Sequence, residues 1–474
     1  MITMSNSPPF LVPPGERQLF LDGVDCVQTT NLQRILHQPE KKGALIRSTD
    51  PNKTIQTRSA PLWDPEMEIY KLWVIGADNP VRQSADGLHW IEGTRPLSAT
   101  GAESMVVYDG TDPDPERRYK AARLNAGFAV SSDGAQWRKL DVPAVASFDE
   151  GNFSFDPNEG RFIHTVKRTG PHGRSLAIAT SADFAHWDDY GVVFHADDID
   201  QQMGRETIAA RRANPGLQQT EYDTPEHYSV QIYNMGVFRY ESLYVGLPSM
   251  YHHTGKVPPT WEGFKKMRLS PEIAEATAQH GDYTGFYTIQ VACSRDLRTW
   301  TRVCERKSFL ETSALDSGAY DLQSLIGPSN AVLRGDELWF YYTGIKHYAF
   351  IHSGSIKGYD DYTADAGAIH LAVLRRDGFA SLEAGDSEGM VVTRTFTLTG
   401  RALWVNVDAR GGELRAELLG ANNEVLAFSK PLSGDIPSGR MEWSVGAFDG
   451  RRGESVHLRF RLRNAHFYSY WIEE

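Results

Sequence analysis

The sequence predicts an all-β protein: a five-bladed β-propeller followed by a small C-terminal β-sandwich. Two observations predict it. A hairpin motif recurs along most of the chain, and after about residue 385 the pattern changes to short alternating strands with Gly-rich turns. At 474 residues the chain exceeds the usual size of one hydrophobic core, which favours one large and one small domain. We therefore expect the propeller over residues 1–384 and the sandwich over 385–474.

The recurring motif is S-x-D-x-x-x-W, in which Ser and Asp follow one strand and Trp opens the next. Its four clear copies are Ser84/Asp86/Trp90, Ser131/Asp133/Trp137, Ser181/Asp183/Trp187 and Ser294/Asp296/Trp300. Short polar side chains at such positions accept hydrogen bonds from turn N–H groups, and the indole anchors the hairpin by packing. A fifth, degenerate copy keeps Asp377 and has Leu382 near the Trp position.

Each copy is preceded by a second hairpin, so that one repeat supplies a four-stranded blade. The Asp positions lie 47, 50, 113 and 81 residues apart. The two short intervals match one blade each, and the two long ones indicate insertions. One insertion predicts a helix that is capped by Ser270, has Pro271 in its first turn and ends at Gly281. We expect the N-terminal segment 18–30 to supply the outer strand that closes the ring.

Composition limits the classes of function. A net charge of -12 disfavours nucleic acid and anionic membranes as partners and suits a neutral small molecule. Three scattered cysteines predict free thiols rather than disulfides or a zinc site. The N-terminus shows no signal peptide, so we expect a cytoplasmic protein, and no apolar run is long enough to span a membrane. Nothing indicates a cofactor, and a homo-oligomer is compatible with the sequence.

The repeated S-x-D-G-x-x-W hairpins, the run GDELWFYYTG in the last blade and the strands of the C-terminal region resemble the five-bladed propeller glycoside hydrolases of families 32, 43, 62 and 68. The closest resemblance is to uncharacterised bacterial proteins similar to family 32. The resemblance implies hydrolysis of a glycosidic bond by carboxylate side chains. The N-D-P-N-G, R-D-P and E-C motifs of family 32 are absent, and Trp63-Asp64-Pro65 places its Asp in a hairpin turn. Fructan cleavage is therefore not implied.

Propeller geometry locates the site, because residues that enter the innermost strands line the channel at one mouth. Cleavage of a glycosidic bond needs an acid and a base or nucleophile, both commonly carboxyl groups. The candidates are Asp149 or Glu150, Asp321 and Glu226, with Glu103 as a further one. Each also fits an ordinary role as a loop cap, a turn residue or a solvated charge.

The candidates for substrate binding stand at strand ends or beside these carboxylates. They are Arg58, Lys167, Tyr233, Asn234, His252, His253, Lys346 and His347. Arg58 or Lys167 would hold a carboxylate ionised. An acidic stretch with Asp197, Asp198, Asp200 and Glu206 has the ligand chemistry of a calcium loop, but such clusters are more often solvated surface, and we predict no metal site.

Two other classes of function remain open on the sequence. The first is a carbohydrate-binding propeller or pseudoenzyme without hydrolytic activity. The second is a related propeller enzyme of different chemistry, either a phosphorylase or a lyase. A phosphorylase needs a cationic phosphate site, for which the sequence offers only Arg168, His172 and Arg174. A propeller that serves only as a protein scaffold is disfavoured by the acidic residues at its inner strands.

Overall fold

A computed structural model describes residues 10–24, 26–50, 54–94, 104–220, 222–266, 271–347, 365–444, 448 and 450–474. Its strands form five antiparallel sheets of four or five strands and one sheet of eleven. The five small sheets are propeller blades: the first strands of four of them, Leu62–Asp64, Met105–Tyr108, Gly151–Asp156 and Ser229–Tyr240, contact one another in turn, and Asp282–Ile289 of the fourth sheet contacts Ser324–Ile326 of the fifth. The prediction of an all-β protein with a five-bladed propeller is confirmed.

Blades 1 to 3 each have four consecutive strands. Their bounds are Leu62–Asp64, Ile69–Trp73, Val81–Ser84 and Ile91–Glu92 in blade 1; Met105–Tyr108, Tyr119–Arg123, Gly127–Ser131 and Arg138–Lys139 in blade 2; and Gly151–Asp156, Arg161–Gly170, Gly173–Ser181 and Asp188–Phe194 in blade 3. Regular four-stranded blades explain the short spacing of the first three hairpin motifs.

Blades 4 and 5 have five strands each. Blade 4 contains Ser229–Tyr240, Leu243–Val257, Asp282–Ile289, Ala292–Ser294 and Thr301–Arg302, and blade 5 contains Ser324–Ile326, Val332–Arg334, Glu337–Ile345, Gly367–Arg375 and Glu40–Arg47. In blade 4 the strand Leu243–Val257 is longer than the strands of blades 1 to 3, and its C-terminal part pairs with Asp282–Ile289. The insertion in blade 4 therefore adds a fifth strand to this blade.

The strand that closes the ring is Glu40–Arg47, which pairs with Gly367–Arg375 at the outer edge of blade 5. Lys41 of this strand donates from Nζ to Asp321 Oδ2 at 2.7 Å. The segment that we expected in this position, residues 18–30, contributes strands to the large sixth sheet instead. The strand 40–47 reads EKKGALIR and begins with three consecutive charged residues, so its start resembles a solvated segment more than a blade edge.

The hairpin motif has the predicted turn chemistry in the structure. In blade 1, the Gly87 N–H donates to Ser84 Oγ at 2.8 Å, and the N–H groups of Leu88 and His89 donate to Asp86 Oδ1 at 2.8 Å. Equivalent bonds recur around Asp133, Asp183 and Asp296. The Ser and Asp side chains thus accept hydrogen bonds from N–H groups of the turn that take no part in strand pairing.

The sixth sheet gathers strands from both ends of the chain. They are Gln18–Leu19, Cys26–Thr30, Gln33–Leu36, Ala380–Ala384, Gly389–Thr393, Phe396–Thr397, Ala402–Gly420, Val425–Phe428, Leu432–Arg440, Ser455–Arg463 and Ala465–Glu473. The strand Ala402–Gly420 pairs with Ala465–Glu473 along its first half and with Ser455–Arg463 along its second half. The sheet therefore folds over one apolar core, which confirms the sandwich. The division of the chain into domains at residue 384 stays a prediction.

The degenerate fifth motif joins the propeller to the sixth sheet. The Asp377 carboxylate is buried and accepts hydrogen bonds from Arg17 Nη1 at 2.6 Å, Tyr240 Oη at 2.7 Å and Ser469 Oγ at 2.5 Å. Asn406 Nδ2 donates to the same carboxylate at 3.0 Å. Tyr240 belongs to blade 4, whereas Arg17, Asn406 and Ser469 lie in or beside the sixth sheet, so this one carboxylate ties the two parts together.

Among the described residues, two α-helices lie outside the blade sheets: α1 (Asp198–Ala213) and α2 (Pro271–His280). The predicted helix agrees with α2, although its expected cap, Ser270, lies outside the described residues. The interpretation of the acidic stretch as a loop is wrong, because this stretch begins α1. Asp197 and Asp200 form a capping box. Arg302 pairs with Asp200 at 2.8 Å, and Arg306 pairs with Asp197 at 2.5 Å. No helix in the described ranges is both long and apolar enough to cross a bilayer.

Candidate active site

A cavity of about 300 Å³ lies at the channel mouth where the innermost strands begin. All five blades line it. The lining residues are Gln56, Arg58 and Ile75 of blade 1, Ser104, Met105 and Leu124 of blade 2, Asp149, Glu150 and Gly151 of blade 3, Tyr233 and Tyr287 of blade 4, and Ser324, Ile326 and Ile345 of blade 5. We call this cavity the central pocket. Its mixed lining of charged, aromatic and aliphatic groups suits a small polar ligand with apolar faces.

The Glu150 carboxylate is the buried negative charge among the described lining residues of the central pocket, and Glu150 is 7% exposed. Arg58 donates hydrogen bonds to both of its oxygens, from Nε to Oε2 at 2.6 Å and from Nη2 to Oε1 at 2.7 Å. The Tyr233 hydroxyl donates to Oε1 at 2.8 Å. Because a carboxylate offers about four acceptor positions, these donors leave one on Oε2. Glu150 is thus fixed in place and still able to accept a bond from a ligand.

The same contacts set the charge state of Glu150. Burial raises the pKa of this carboxyl. Arg58, Lys167 and the Tyr233 hydroxyl together lower the pKa by more than burial raises it, so it lies below the ordinary value. Burial lowers the pKa of Arg58, and the Glu150 charge more than reverses that effect. Both groups are therefore ionised near neutral pH, and Glu150 is suited to act as a base, a nucleophile or a stabiliser of positive charge rather than as an acid.

A second carboxylate stands next to the first. Asp149 is 66% exposed, and its Oδ1 lies 2.6 Å from Lys167 Nζ, which is itself buried. Lys167 Nζ also lies 3.8 Å from the centre of the Tyr233 ring. Burial lowers the pKa of Lys167, although Glu150 and Asp149 oppose that effect. The two carboxylates therefore share one cationic environment, with Asp149 facing the solvent and Glu150 facing Arg58.

Polar side chains from neighbouring blades hold Arg58 and Tyr233 in position. Asn152 Nδ2 donates to the Arg58 carbonyl at 3.2 Å and to Ser329 Oγ at 3.2 Å, and Ser329 Oγ donates to the same carbonyl. Asn234 Nδ2 in turn donates to Asn152 Oδ1 at 3.0 Å. A shift of strand register between Ile232 and Asn234 leaves Tyr233 as the extra residue of a β-bulge. Such bulges redirect a side chain at sheet rims, here toward Glu150.

The structure brings only part of the predicted catalytic set together. Asp149 and Glu150 line the central pocket, and Glu103 lies outside the described residues. Glu226 is exposed in the short helix Pro225–His227 and does not line the pocket. Asp321 does not line it either: it is wholly buried and accepts from Lys41 and from Tyr342 Oη at 2.8 Å. These contacts attach the closing strand to the rest of blade 5, so Asp321 does not join the carboxylates of the central pocket.

Among the predicted binding residues, Arg58 and Tyr233 line the central pocket, and Lys167 reaches it through Asp149. The others pack elsewhere. His252 stacks on Phe286 with ring centres 4.8 Å apart, and burial lowers its pKa to about 3, with Arg211 adding to the shift. Asn234 and His253 are also buried. Strand ends mark the mouth correctly, but they do not say which way a side chain points.

Lys346 and His347 also lie away from the central pocket lining. The Lys346 ammonium lies 4.2 Å from the centre of the Tyr320 ring and 3.8 Å from Asp365 Oδ2. Burial lowers the pKa of His347 to about 4, and the Lys346 charge adds to the shift. His347 is therefore neutral near pH 7 and is not a ready proton donor there.

Two further side chains, Tyr287 and Gln56, contribute to the lining of the central pocket. Tyr287 enters the pocket from the extra strand of blade 4, and its ring centre lies 4.7 Å from that of Tyr233. Gln56 precedes blade 1 and accepts from Arg58 Nη2 at 3.1 Å. Gln56 stands two positions before Arg58, and the entry to the same inner strand predicts both residues at the channel mouth. Tyr287 was not predicted, because an insertion brings it to the site.

Replacing Arg58 with glutamine should move the titration of Glu150 upward. Without the guanidinium, the strongest effect that opposes burial is lost, so the pKa of Glu150 should rise above its value in the wild-type protein. In the native protein the ion pair stabilises the fold above the ordinary pKa of a glutamate carboxyl, and this stability is lost as the pH falls through the lower folded-state pKa. We expect Glu150 to titrate at a higher pH in Arg58→Gln than in wild type. Carboxyl-carbon NMR of glutamate-labelled protein can follow this titration, and Glu150→Gln assigns the signal.

The matched control for this titration is Arg82→Gln. Arg82 is a buried arginine of the same blade that bonds to backbone carbonyls and does not line the central pocket. It should leave the Glu150 titration unchanged. An Arg58→Gln variant whose Glu150 signal titrates at the wild-type pH would contradict the assigned electrostatics.

Comparisons with known proteins find similar solved structures but no family. No family model and no curated protein matches the chain. Matching solved structures include a protein described as a glycoside hydrolase (14% identity, 71% of this chain and 92% of that one, TM-score 0.39). A family 32 β-fructofuranosidase from Bombyx mori also matches (10%, 92% and 94%, 0.36), as does an endo-arabinase from Bacteroides thetaiotaomicron (12%, 70% and 97%, 0.37). At these identities the likeness concerns the fold alone.

Proposed function

We propose that this protein is a glycosidase that cleaves a glycosidic bond of a furanoside- or pyranoside-containing oligosaccharide in the central pocket. The observation that carries the proposal is Glu150: a buried carboxylate, kept ionised by Arg58 and oriented by Tyr233, in the wall of a pocket that all five blades line. An ionised carboxylate at this position stabilises the positive charge that develops on a sugar ring during cleavage.

Glu150 is assigned the role of the ionised member of the carboxylate pair. The proton donor is assigned to Glu103 in preference to Asp149, which is ion-paired with Lys167. Asp149 lines the pocket beside Glu150, and Glu103 directly precedes Ser104, which lines it from blade 2. Because acid and base flank the scissile bond in this chemistry, an acid supplied by a different blade from Glu150 fits the requirement best. Amide variants of Asp149 and Glu103, compared at several pH values, distinguish the two.

A second candidate function is binding of a carbohydrate without cleavage. The observation in its favour is that Arg58 and Tyr233 already occupy three acceptor positions on Glu150. A phosphorylase is less well supported, because the one cation among the described lining residues, Arg58, is committed to Glu150. A lyase would give an unsaturated product, and a phosphorylase would give a sugar phosphate when inorganic phosphate is added.

The test is to incubate the wild-type protein with aryl glycosides and with tri- and tetrasaccharides of fructose, arabinofuranose, xylose and galactose. Released sugars are separated by chromatography, and binding of the same compounds is measured by calorimetry. We expect hydrolysis of at least one compound without added phosphate. Binding with no product from any compound would replace the proposal by the second candidate, and neither binding nor product would refute both.

A further inference from the structure

Tyr233 is a half-buried tyrosine that both lines the central pocket and donates a hydrogen bond from Oη to Glu150 Oε1 at 2.8 Å. It is the extra residue of a β-bulge, so its side chain leaves the regular alternation of the strand. A hydroxyl oxygen that donates its proton to a carboxylate keeps its own lone pairs. A hydroxyl and a base at this distance are the two components of an activated oxygen nucleophile.

The oxygens of Glu150 are less available for attack on a sugar than the hydroxyl oxygen of Tyr233. Three hydrogen bonds already occupy the carboxylate, two from Arg58 and one from Tyr233. Attack by a carboxylate oxygen has to displace one of these donors or use the one remaining position on Oε2. Transfer of the Tyr233 proton to Oε1 follows a hydrogen bond that already exists and displaces no donor. Glu150 is therefore better placed as a base than as a nucleophile.

A buried cation lies close to the Tyr233 ring. Lys167 Nζ is 3.8 Å from the ring centre, and the Lys167 side chain is 1% exposed. A cation at this distance is attracted by the electrons of the ring, and the attraction grows when the hydroxyl gives up its proton and the phenol gains negative charge. The Tyr287 ring packs at 4.7 Å from the Tyr233 ring and orients it. These contacts stabilise a Tyr233 oxygen that becomes more negative as it attacks.

We propose that Tyr233 is the nucleophile of the reaction and that Glu150 is its base. This inference rests on the proposed glycosidase function and makes its mechanism specific. In the first step, the Tyr233 proton moves to Glu150 Oε1, and Tyr233 Oη forms a bond to the anomeric carbon of the sugar. The bond from that carbon to the leaving oxygen breaks, and the leaving oxygen takes the proton of the assigned donor, Glu103.

The second step restores every group. A water molecule gives one proton to the ionised Glu103 carboxylate, and the water oxygen forms a bond to the anomeric carbon. The bond from that carbon to Tyr233 Oη breaks, and Oη takes its proton back from Glu150. The two steps consume one water molecule and leave the protein unchanged. Because each step inverts the anomeric carbon, the released sugar keeps the configuration of the substrate.

The first test compares Tyr233→Phe with Tyr244→Phe, its matched control. Tyr244 is also a tyrosine of blade 4 that donates to a carboxylate of blade 3, from Oη to Asp156 Oδ2 at 2.9 Å. Neither Tyr244 nor Asp156 is among the described residues that line the central pocket. On the compound that wild type cleaves best, Tyr233→Phe should lower kcat by at least about 10³-fold, and Tyr244→Phe should leave it unchanged. A hydrogen bond that only positions Glu150 would account for a loss of about 10- to 100-fold.

The second test uses the wild-type protein and identifies the residue that carries the sugar. The protein is incubated with an aryl glycoside of the released sugar that bears fluorine next to the anomeric carbon, which slows release of a covalently bound sugar. Proteolysis and mass spectrometry then locate the attachment. The sugar should lie on Tyr233 and resist hydroxylamine, because its bond to a phenol is not an ester. NMR of the sugar first released from the natural linkage should show retention of configuration.

Three results would overturn the inference while leaving the glycosidase proposal intact. They are inversion of the anomeric configuration, a sugar attached to Glu150 or Asp149 as a hydroxylamine-sensitive ester, and a folded Tyr233→Phe variant that loses about 100-fold or less in kcat. The first two are measured on wild type and do not depend on the folding of a variant. A wild-type protein that cleaves none of the compounds would refute the proposed function and this inference together.

Discussion

Replacing Glu150 with glutamine should lower kcat/KM by roughly 10²- to 10⁴-fold, the range typical of removing one acid–base group. The amide keeps the shape of the side chain and loses the charge that Arg58 and Tyr233 hold in the central pocket. The loss should appear in kcat, because a charge that faces a developing cation matters most in the transition state.

The control is Glu159→Gln. Glu159 is an exposed residue in a turn of the same blade, and its carboxylate pairs with Arg161 at the surface. This variant should retain wild-type kcat/KM. Since the amide also leaves Arg58 without its counter-ion, folding of both variants is verified by circular dichroism, and Glu150→Asp, which keeps the charge, should retain part of the activity. A folded Glu150→Gln variant with kcat/KM within threefold of wild type would refute the catalytic role of Glu150.

Replacing Asp377 with alanine should cost about 3–5 kcal/mol of unfolding free energy, the usual consequence of removing one partner from a buried ion pair. The side chain of Arg17 is 4% exposed and that of Asp377 is fully buried, at 2.6 Å from each other. Tyr240, Asn406 and Ser469 lose an acceptor in the same variant. Denaturant unfolding monitored by tryptophan fluorescence should show the loss.

The repeat supplies a matched control, Asp133→Ala, which removes the corresponding turn aspartate from blade 2. Asp133 is exposed and accepts mainly from local N–H groups, so its loss should cost only about 1 kcal/mol. A double-mutant cycle with Arg17→Met isolates the ion pair. A coupling energy below about 0.5 kcal/mol would show that the pair does not join the propeller to the sixth sheet.

The repeat made most of the propeller predictable, because its signal is local. Ser84 and Asp86 bond to the turn that follows them, so the motif reports one hairpin wherever it occurs. The closing strand was not predictable in this way. Its pairing with blade 5 joins residues more than 300 positions apart, and nothing in residues 40–47 distinguishes that partner from another sheet edge. Asp377 shows the same limit, since its turn position was evident but its long-range partners were not.

The candidate site shows the same difference between local signals, which were predictable, and long-range contacts, which were not. Reading the residues before each inner strand found Arg58, Asp149, Glu150 and Tyr233, because entry to an inner strand places a residue near the channel. It also selected Asp321, which stands near an inner strand but is drawn away by Lys41 of the closing strand. Tyr287 was missed because an insertion carries it to the pocket. Local position predicts proximity to the channel, whereas side-chain direction depends on distant charges.

The most direct test of the account is a crystal structure of the Glu150→Gln variant soaked with the trisaccharide that wild type cleaves. The uncleaved sugar should occupy the central pocket, with one unit within hydrogen-bonding distance of residue 150 and contacting Tyr233 and Tyr287. A trisaccharide bound only elsewhere, for example in the groove of the sixth sheet that Phe428 and Trp443 line, would contradict the account.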